Sequence, residues 1–227
     1  MWKDLSGHGI DITLHNFSDL TTSWKEDALI FNGVDNVAVT EKQITFGGSG
    51  QHTVEFWVSD YALMNLDTVG AFLIVETTSN FNNYSGAFFY SYGNELSRNF
   101  DSNNHFQFAI RKKDGYFARF VKSASTDFHS VIVVVDTAIQ DLDGQMKVYL
   151  DGKQAELGNL TIDGIVQHQR LIYQPFVDAK LTMGNRIGES ATPWFWKGNL
   201  HNLKIYNRAL TENEVQANYF VDRSRFQ

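Results

Sequence analysis

Residues 129–157 read HSVIVVVDTAIQDLDGQMKVYLDGKQAEL, and this stretch sets the fold class. The run HSVIVVVD (129–136) is dominated by valine and isoleucine, whose branched side chains fit a pleated strand better than a helix. It is far shorter than the roughly 20 apolar residues that a membrane-spanning helix needs. Asp143-Gly144 links it to QMKVYLDGKQAEL (145–157), where Asp151-Gly152 marks a tight turn. Asp-Gly pairs tolerate positive φ at both positions and so join antiparallel strands.

The same grammar extends in both directions. ALIFNGVDNVAVT (28–40) holds two short runs around an Asn-Gly turn, and HTVEFWVS (52–59) alternates Val54, Phe56 and Val58 with Glu55, Trp57 and Ser59. VGAFLIVE (69–76) and GAFFYSY (86–92) precede HFQFAIRKKDGYFARFV (105–121), which reads as a hairpin about Asp114-Gly115. KLTMG and NLHNLKIY close the series. At least ten strands at spacings of about ten residues predict a sandwich or barrel. No Pro/Ser-rich linker or internal repeat interrupts them, so residues 1–227 are read as a single domain. The end differs: in ALTENEVQANYF, Thr211 and Glu214 form a capping box, with Leu210 and Val215 as its hydrophobic staple. This predicts a short C-terminal helix packed on the sandwich.

Composition narrows the function classes. The net charge is −7 and the basic residues are scattered, so there is no positive stripe of the kind that binds nucleic acid. Cysteine is absent, which removes disulfides, thiolate metal sites and cysteine nucleophiles. The opening MWKDLSGHGIDITL lacks the basic and apolar regions of a signal peptide, and nothing suggests membrane insertion.

The segments FNGVDNVAV, HTVEFWVS, HSVIVVVDTAIQDLDGQMKVYLDGKQ and FWKGNLHNLKIYNRALTENEV resemble, in order, the signature segments of laminin-G-like domains in the concanavalin A-like lectin/glucanase superfamily. The stretch Lys204 to Val215 is the most specific of them, and the opening and tail resemble bacterial and phage versions. The resemblance implies an all-β jelly-roll sandwich of two antiparallel sheets, one of them concave, in a domain taken from a larger secreted, surface or virion protein. Many relatives bind carbohydrate. Some carry an acidic pair before the last signature that helps to hold calcium, but here those positions are His201 and Asn202. Calcium usually needs several oxygen ligands including carboxylates, so no cofactor is expected.

The glucanase branch uses Glu-x-Asp-x-Glu on one strand face, and no such run occurs here. Glu55 reads as an ordinary exposed strand carboxylate. No Gly-x-Ser-x-Gly elbow or His-x-x-x-His pair is present either, so the chain is read as non-catalytic.

Sugars stack their C–H faces on aromatic rings and hydrogen-bond to planar polar groups. Strand alternation assigns Trp57, Tyr90, Tyr92, Gln107, Arg111 and the hairpin mate Arg119 to one mixed face, with Tyr84 in a polar loop at its rim. Val54, Phe56, Val58, Phe106, Phe108 and Ile110 form the cleaner core set. In ATPWFWKG (191–198) one of Trp194 and Trp196 is expected to plug the fold, which leaves the other, Trp194, as a further candidate ligand contact. The expected partner is a glycan or cell-surface polysaccharide, met outside the cell, on its surface or on a virion, alongside other domains of a parent protein. A structural or protein-interaction domain is the rival reading.

Overall fold

A computed structural model shows why residues 131–135 are apolar without interruption: this strand is covered on both faces. Val131, Val133 and Val135 point into the main core, while Ile132 and Val134 join Tyr149, Leu210 and Val215 in a second cluster beneath the C-terminal helix. Continuous apolar runs mark strands buried on both sides.

The structure describes residues 1–17, 23–25, 27–46, 49–61, 70–76, 87–93, 105–112, 115–122, 128–159, 161–162, 165–166, 176–185 and 195–226. In chain order the strands are β1 (Ile12–His15), β2 (Trp24–Lys25), β3 (Ala28–Asn32), β4 (Val37–Thr40), β5 (Ile44–Phe46) and β6 (Gln51–Ser59). Then come β7 (Gly70–Glu76), β8 (Ala87–Gly93), β9 (His105–Lys112), β10 (Gly115–Lys122), β11 (His129–Asp136) and β12 (Met146–Leu150). The series ends with β13 (Lys153–Gln154), β14 (Gly158–Asn159), β15 (Thr161–Ile162), β16 (Ile165–Val166), β17 (Phe176–Met183) and β18 (Lys197–Tyr206), followed by helix α1 (Glu212–Phe226).

Two antiparallel sheets hold all but the small β15–β16 hairpin. The larger runs β1-β4-β17-β7-β8-β9-β10-β14, with β5 also on β17; the smaller runs β13-β12-β11-β6-β18-β3-β2. The Asn-Gly turn after β3 therefore carries the chain from one sheet to the other. The core between them takes Val54, Phe56 and Val58 from β6 and Phe106, Phe108 and Ile110 from β9, as alternation predicts. This is the jelly-roll sandwich expected from the sequence.

Two local readings also hold. Asp151 and Gly152 have φ of 51° and 75°, the left-handed pair that the turn between β12 and β13 requires. At α1, the Glu214 carboxylate accepts the Thr211 amide at 2.8 Å, and the Thr211 hydroxyl accepts the Glu214 amide at 3.4 Å. Leu210 and Val215 are both buried beside this cap. Arg208 forks onto the same carboxylate and, with the Thr211 bonds, holds its pKa down to about 2. Trp196 is the expected plug: it is 2% exposed, lies 5.3 Å from the Phe31 ring, and sits over Gly198, where a Cβ would meet its ring at 2.4 Å.

Candidate functional site

The mixed face assembled by reading each strand separately does not form one surface. β6 belongs to the smaller sheet, whereas β8, β9 and β10 belong to the larger. Trp57 is fully buried beneath α1, stacked on Tyr219 with ring centroids 5.7 Å apart and planes 5° from parallel. Phe128 and Phe226 close over it at 5.3 and 5.5 Å. Trp57 is therefore a packing residue, because the helix occupies the face that alternation left open.

Glu55 lies under the same helix and is also fully buried, not exposed. Lys204 Nζ donates to Glu55 Oε1 at 3.0 Å and also reaches Asp222 Oδ2, while Asn218 donates to Glu55 Oε2 at 2.8 Å. Burial raises the Glu55 pKa despite Lys204. For Lys204, burial acts downward, but its bonds to Asp222 and Glu55 outweigh it and raise the pKa. Glu55 thus fastens α1 to the sheet and faces away from any groove on the larger sheet.

On the larger sheet, register sorts the remaining candidates. Residues directly opposite on paired strands share a face. β10 pairs with β9 so that Tyr116 stands opposite Arg111, Phe120 opposite Gln107, and Arg119 opposite Phe108. Since Phe106, Phe108 and Ile110 are core, positions 107, 109 and 111 lie on the outer face by alternation, together with 116, 118 and 120. Arg119 belongs instead to the core side. It is 5% exposed, with Nη1 2.5 Å from Asp143 Oδ1 and Nη2 donating to the Leu157 carbonyl at 3.0 Å. It ties the larger sheet to the turn between β11 and β12 and is not a groove residue.

Tyr90 and Tyr92 are corrected in the same way. β8 pairs Tyr90 with Phe108 and Tyr92 with Phe106, so both are core-side positions in the backbone register, while Phe89 and Ser91 stand opposite Ala109 and Gln107. Positions 107 and 111 fall on the outer side in the backbone register. Tyr84 and Trp194 fall outside the described residues.

What sequence reading missed is the aromatic half of this face. Phe120 is half-buried and its ring covers Gly158 of β14, where a Cβ would fall 2.1 Å from the ring. An aromatic side chain over a cross-strand glycine fills the gap the glycine leaves. The outer face of β9 and β10 therefore carries two cross-strand pairs, Arg111 with Tyr116 and Gln107 with Phe120.

The calcium position of the relatives does not fit this chain. His201 Nε2 lies 2.9 Å from Ser59 Oγ and its Nδ1 3.2 Å from Asp27 Oδ1, while Asn202 donates to Asp222 at 2.9 Å. Both are engaged with their own neighbours, and neither offers a carboxylate. Among the described residues, no group of three or more His, Asp or Glu side chains is arranged to hold a metal ion.

Jelly-roll topology, two antiparallel sheets and a capped C-terminal helix define a lectin-like domain. The laminin G profile of the concanavalin A-like lectin/glucanases superfamily matches residues 31–216, and the chain belongs to that family. Among solved structures, a heptameric SAP-like pentraxin from Limulus polyphemus is similar with a TM-score of 0.52 and 16% identity, over 82% of this chain and 78% of that one. The botulinum neurotoxin serotype G binding domain is similar with a TM-score of 0.62 and 12% identity, over 98% of this chain and 49% of that one. The receptor-binding domain of a botulinum neurotoxin C/D mosaic serotype gives 0.62 and 11%, over 96% and 48%. The chain thus spans about half the length of these toxin domains. At such identities the likeness is one of fold. No curated protein matches the chain.

Proposed function

We propose that this domain recognises glycans on the outer face of the larger sheet, without cleaving glycosidic bonds. The observation that carries this reading is the β9–β10 register, which sets Arg111 opposite Tyr116 and Gln107 opposite Phe120. An aromatic ring offers a stacking surface for sugar C–H groups, and a guanidinium or amide beside it can bond two hydroxyls at once. Family membership and the receptor-binding roles in the neighbours' names agree with this direction. The smaller sheet is the weaker candidate, because α1 covers Trp57, Glu55 and Ile132 on its outer face.

The parent would be a secreted, cell-surface or virion protein whose other domains place this one near polysaccharide. Among the described residues no helix is long and apolar enough to cross a membrane. Binding needs no calcium in this reading. A glycan array screened with calcium and again with chelator tests it. Reproducible binding that survives chelation is expected. A blank array from well-folded protein refutes the reading and leaves a structural or protein-binding domain in its place.

A further inference from the structure

The hydrogen bonds around His201 on β18 have a chemistry of their own. Ser59 Oγ, His201 and Asp27 form a hydrogen-bonded chain: 2.9 Å from Ser59 Oγ to His201 Nε2, and 3.2 Å from His201 Nδ1 to Asp27 Oδ1. Asp27 accepts only, so in the neutral imidazole it pairs with a proton on Nδ1, and Nε2 then faces Ser59 Oγ as the acceptor. The three residues come from the end of β6, the middle of β18 and the turn before β3, on the outer face of the smaller sheet beyond the C-terminal end of α1.

Three features of the backbone and its neighbours build this arrangement. Between Leu200, opposite Val58, and Asn202, opposite Trp57, β18 contains one extra residue, and that residue is His201. A bulge of this kind turns a side chain out of the normal alternation. Next to Ser59, Asp60 holds φ at 49°, a left-handed conformation that a non-glycine residue adopts at a cost. Asp60 Oδ2 in turn holds Asn199 Nδ2 at 2.8 Å, and the same amide nitrogen lies 3.3 Å from Ser59 Oγ. Its two amide hydrogens thus serve Asp60 and Ser59 Oγ, which leaves the Ser59 hydroxyl proton to point at His201. Phe128 and Phe226 flank the imidazole at 4.7 and 5.8 Å and supply an apolar wall.

We infer that Ser59, His201 and Asp27 constitute a nucleophilic serine site that takes short-chain carboxylic esters. Ser59 Oγ attacks the ester carbonyl as its proton passes to His201 Nε2. Collapse breaks the acyl–oxygen bond, and the leaving alkoxide takes the proton from His201. Water then adds to the acyl-serine with His201 again accepting a proton, releasing the carboxylic acid and restoring Ser59. Asp27 is a positioning residue that acts through the imidazole. The site lies on the sheet opposite the proposed glycan face, and it stands or falls independently of glycan binding.

Intact protein is treated with a fluorophosphonate probe, adducts are located by peptide mass mapping, and p-nitrophenyl acetate turnover is followed in parallel. One phosphonyl group on Ser59 is expected, absent in Ser59→Ala prepared identically, with acylation slowed about 100-fold in His201→Gln. Asp27→Asn should slow acylation about ten-fold without moving the melting temperature, and Asp27→Glu should recover part of the loss. Folded wild-type protein that takes up no probe overturns the inference, and so does labelling that persists unchanged in Ser59→Ala.

Discussion

His52 makes the stability of this domain sensitive to acid in a way that can be worked out in advance. It stands at the start of β6 opposite Val135, on the face that carries Val54, Phe56 and Val58, and it is fully buried. Desolvation pushes its pKa down from 6.5 to about 3. Between those values the unfolded chain binds a proton that the folded protein does not, so stability falls as pH drops through 6.5 and goes on falling towards 3. Each pH unit costs about 1.4 kcal/mol, so about 3 kcal/mol is lost by pH 4.5. Glu55 acts in the opposite sense. Its raised folded pKa means that the folded state holds a proton more tightly, so its contribution grows as pH falls. Comparing wild type with His52→Leu cancels Glu55 and the other histidines. Urea unfolding at pH 7.0, 6.0, 5.0 and 4.5 should show the stability difference moving by about 3 kcal/mol in favour of the variant across that range. Parallel acid limbs in the two proteins would refute a neutral, core-buried His52.

The lysine between two carboxylates gives a second test. Lys204→Met leaves Glu55 and Asp222 buried without their cation and should cost about 3–5 kcal/mol at pH 7, a loss that adding Glu55→Gln reduces in a double-mutant cycle. Gly152→Ala forces a Cβ to within 2.5 Å of the Tyr219 ring at a φ of 75°. It should cost more than about 1 kcal/mol in chemical denaturation and weaken the docking of α1, read from the fluorescence of Trp57. Thr211→Ala removes the helix cap and should cost about 1 kcal/mol in thermal unfolding.

The fold was legible because its signals are local. Valine runs, Asp-Gly turns and the Thr211–Glu214 box act within a few residues, and the family signatures ordered them. The site was less so, because it depends on which strands are neighbours and which face is covered. Nothing near Trp57 in the chain announces that Tyr219, some 160 residues later, will stack on it. The β8–β9 register is likewise not announced by a short hairpin motif in the sequence, so the core-side positions of Tyr90 and Tyr92 could not be read locally. Arg119 is different. A two-residue hairpin loop pairs odd-numbered positions with even ones, so Arg119 had to stand opposite an even-numbered core residue, as it does with Phe108. The same parity puts Tyr116 and Phe120 on the face of Arg111 and Gln107, but a loop at Asp114-Gly115 would pair them with Lys113 and Ala109, whereas the observed register sets Gly115 opposite Lys112.

Glycan binding by the outer face of β9 and β10 can be tested on that face itself. For the strongest array ligand, titration calorimetry on wild type, Arg111→Ala, Phe120→Ala and Phe220→Ser tests it most directly. Phe220 is 61% exposed on α1, remote from the larger sheet. The first two variants should each lose about ten-fold in affinity, near 1.4 kcal/mol, while Phe220→Ser binds as wild type. Binding that survives in Arg111→Ala and Phe120→Ala but is lost in Phe220→Ser would contradict it and place the ligand on the helix side.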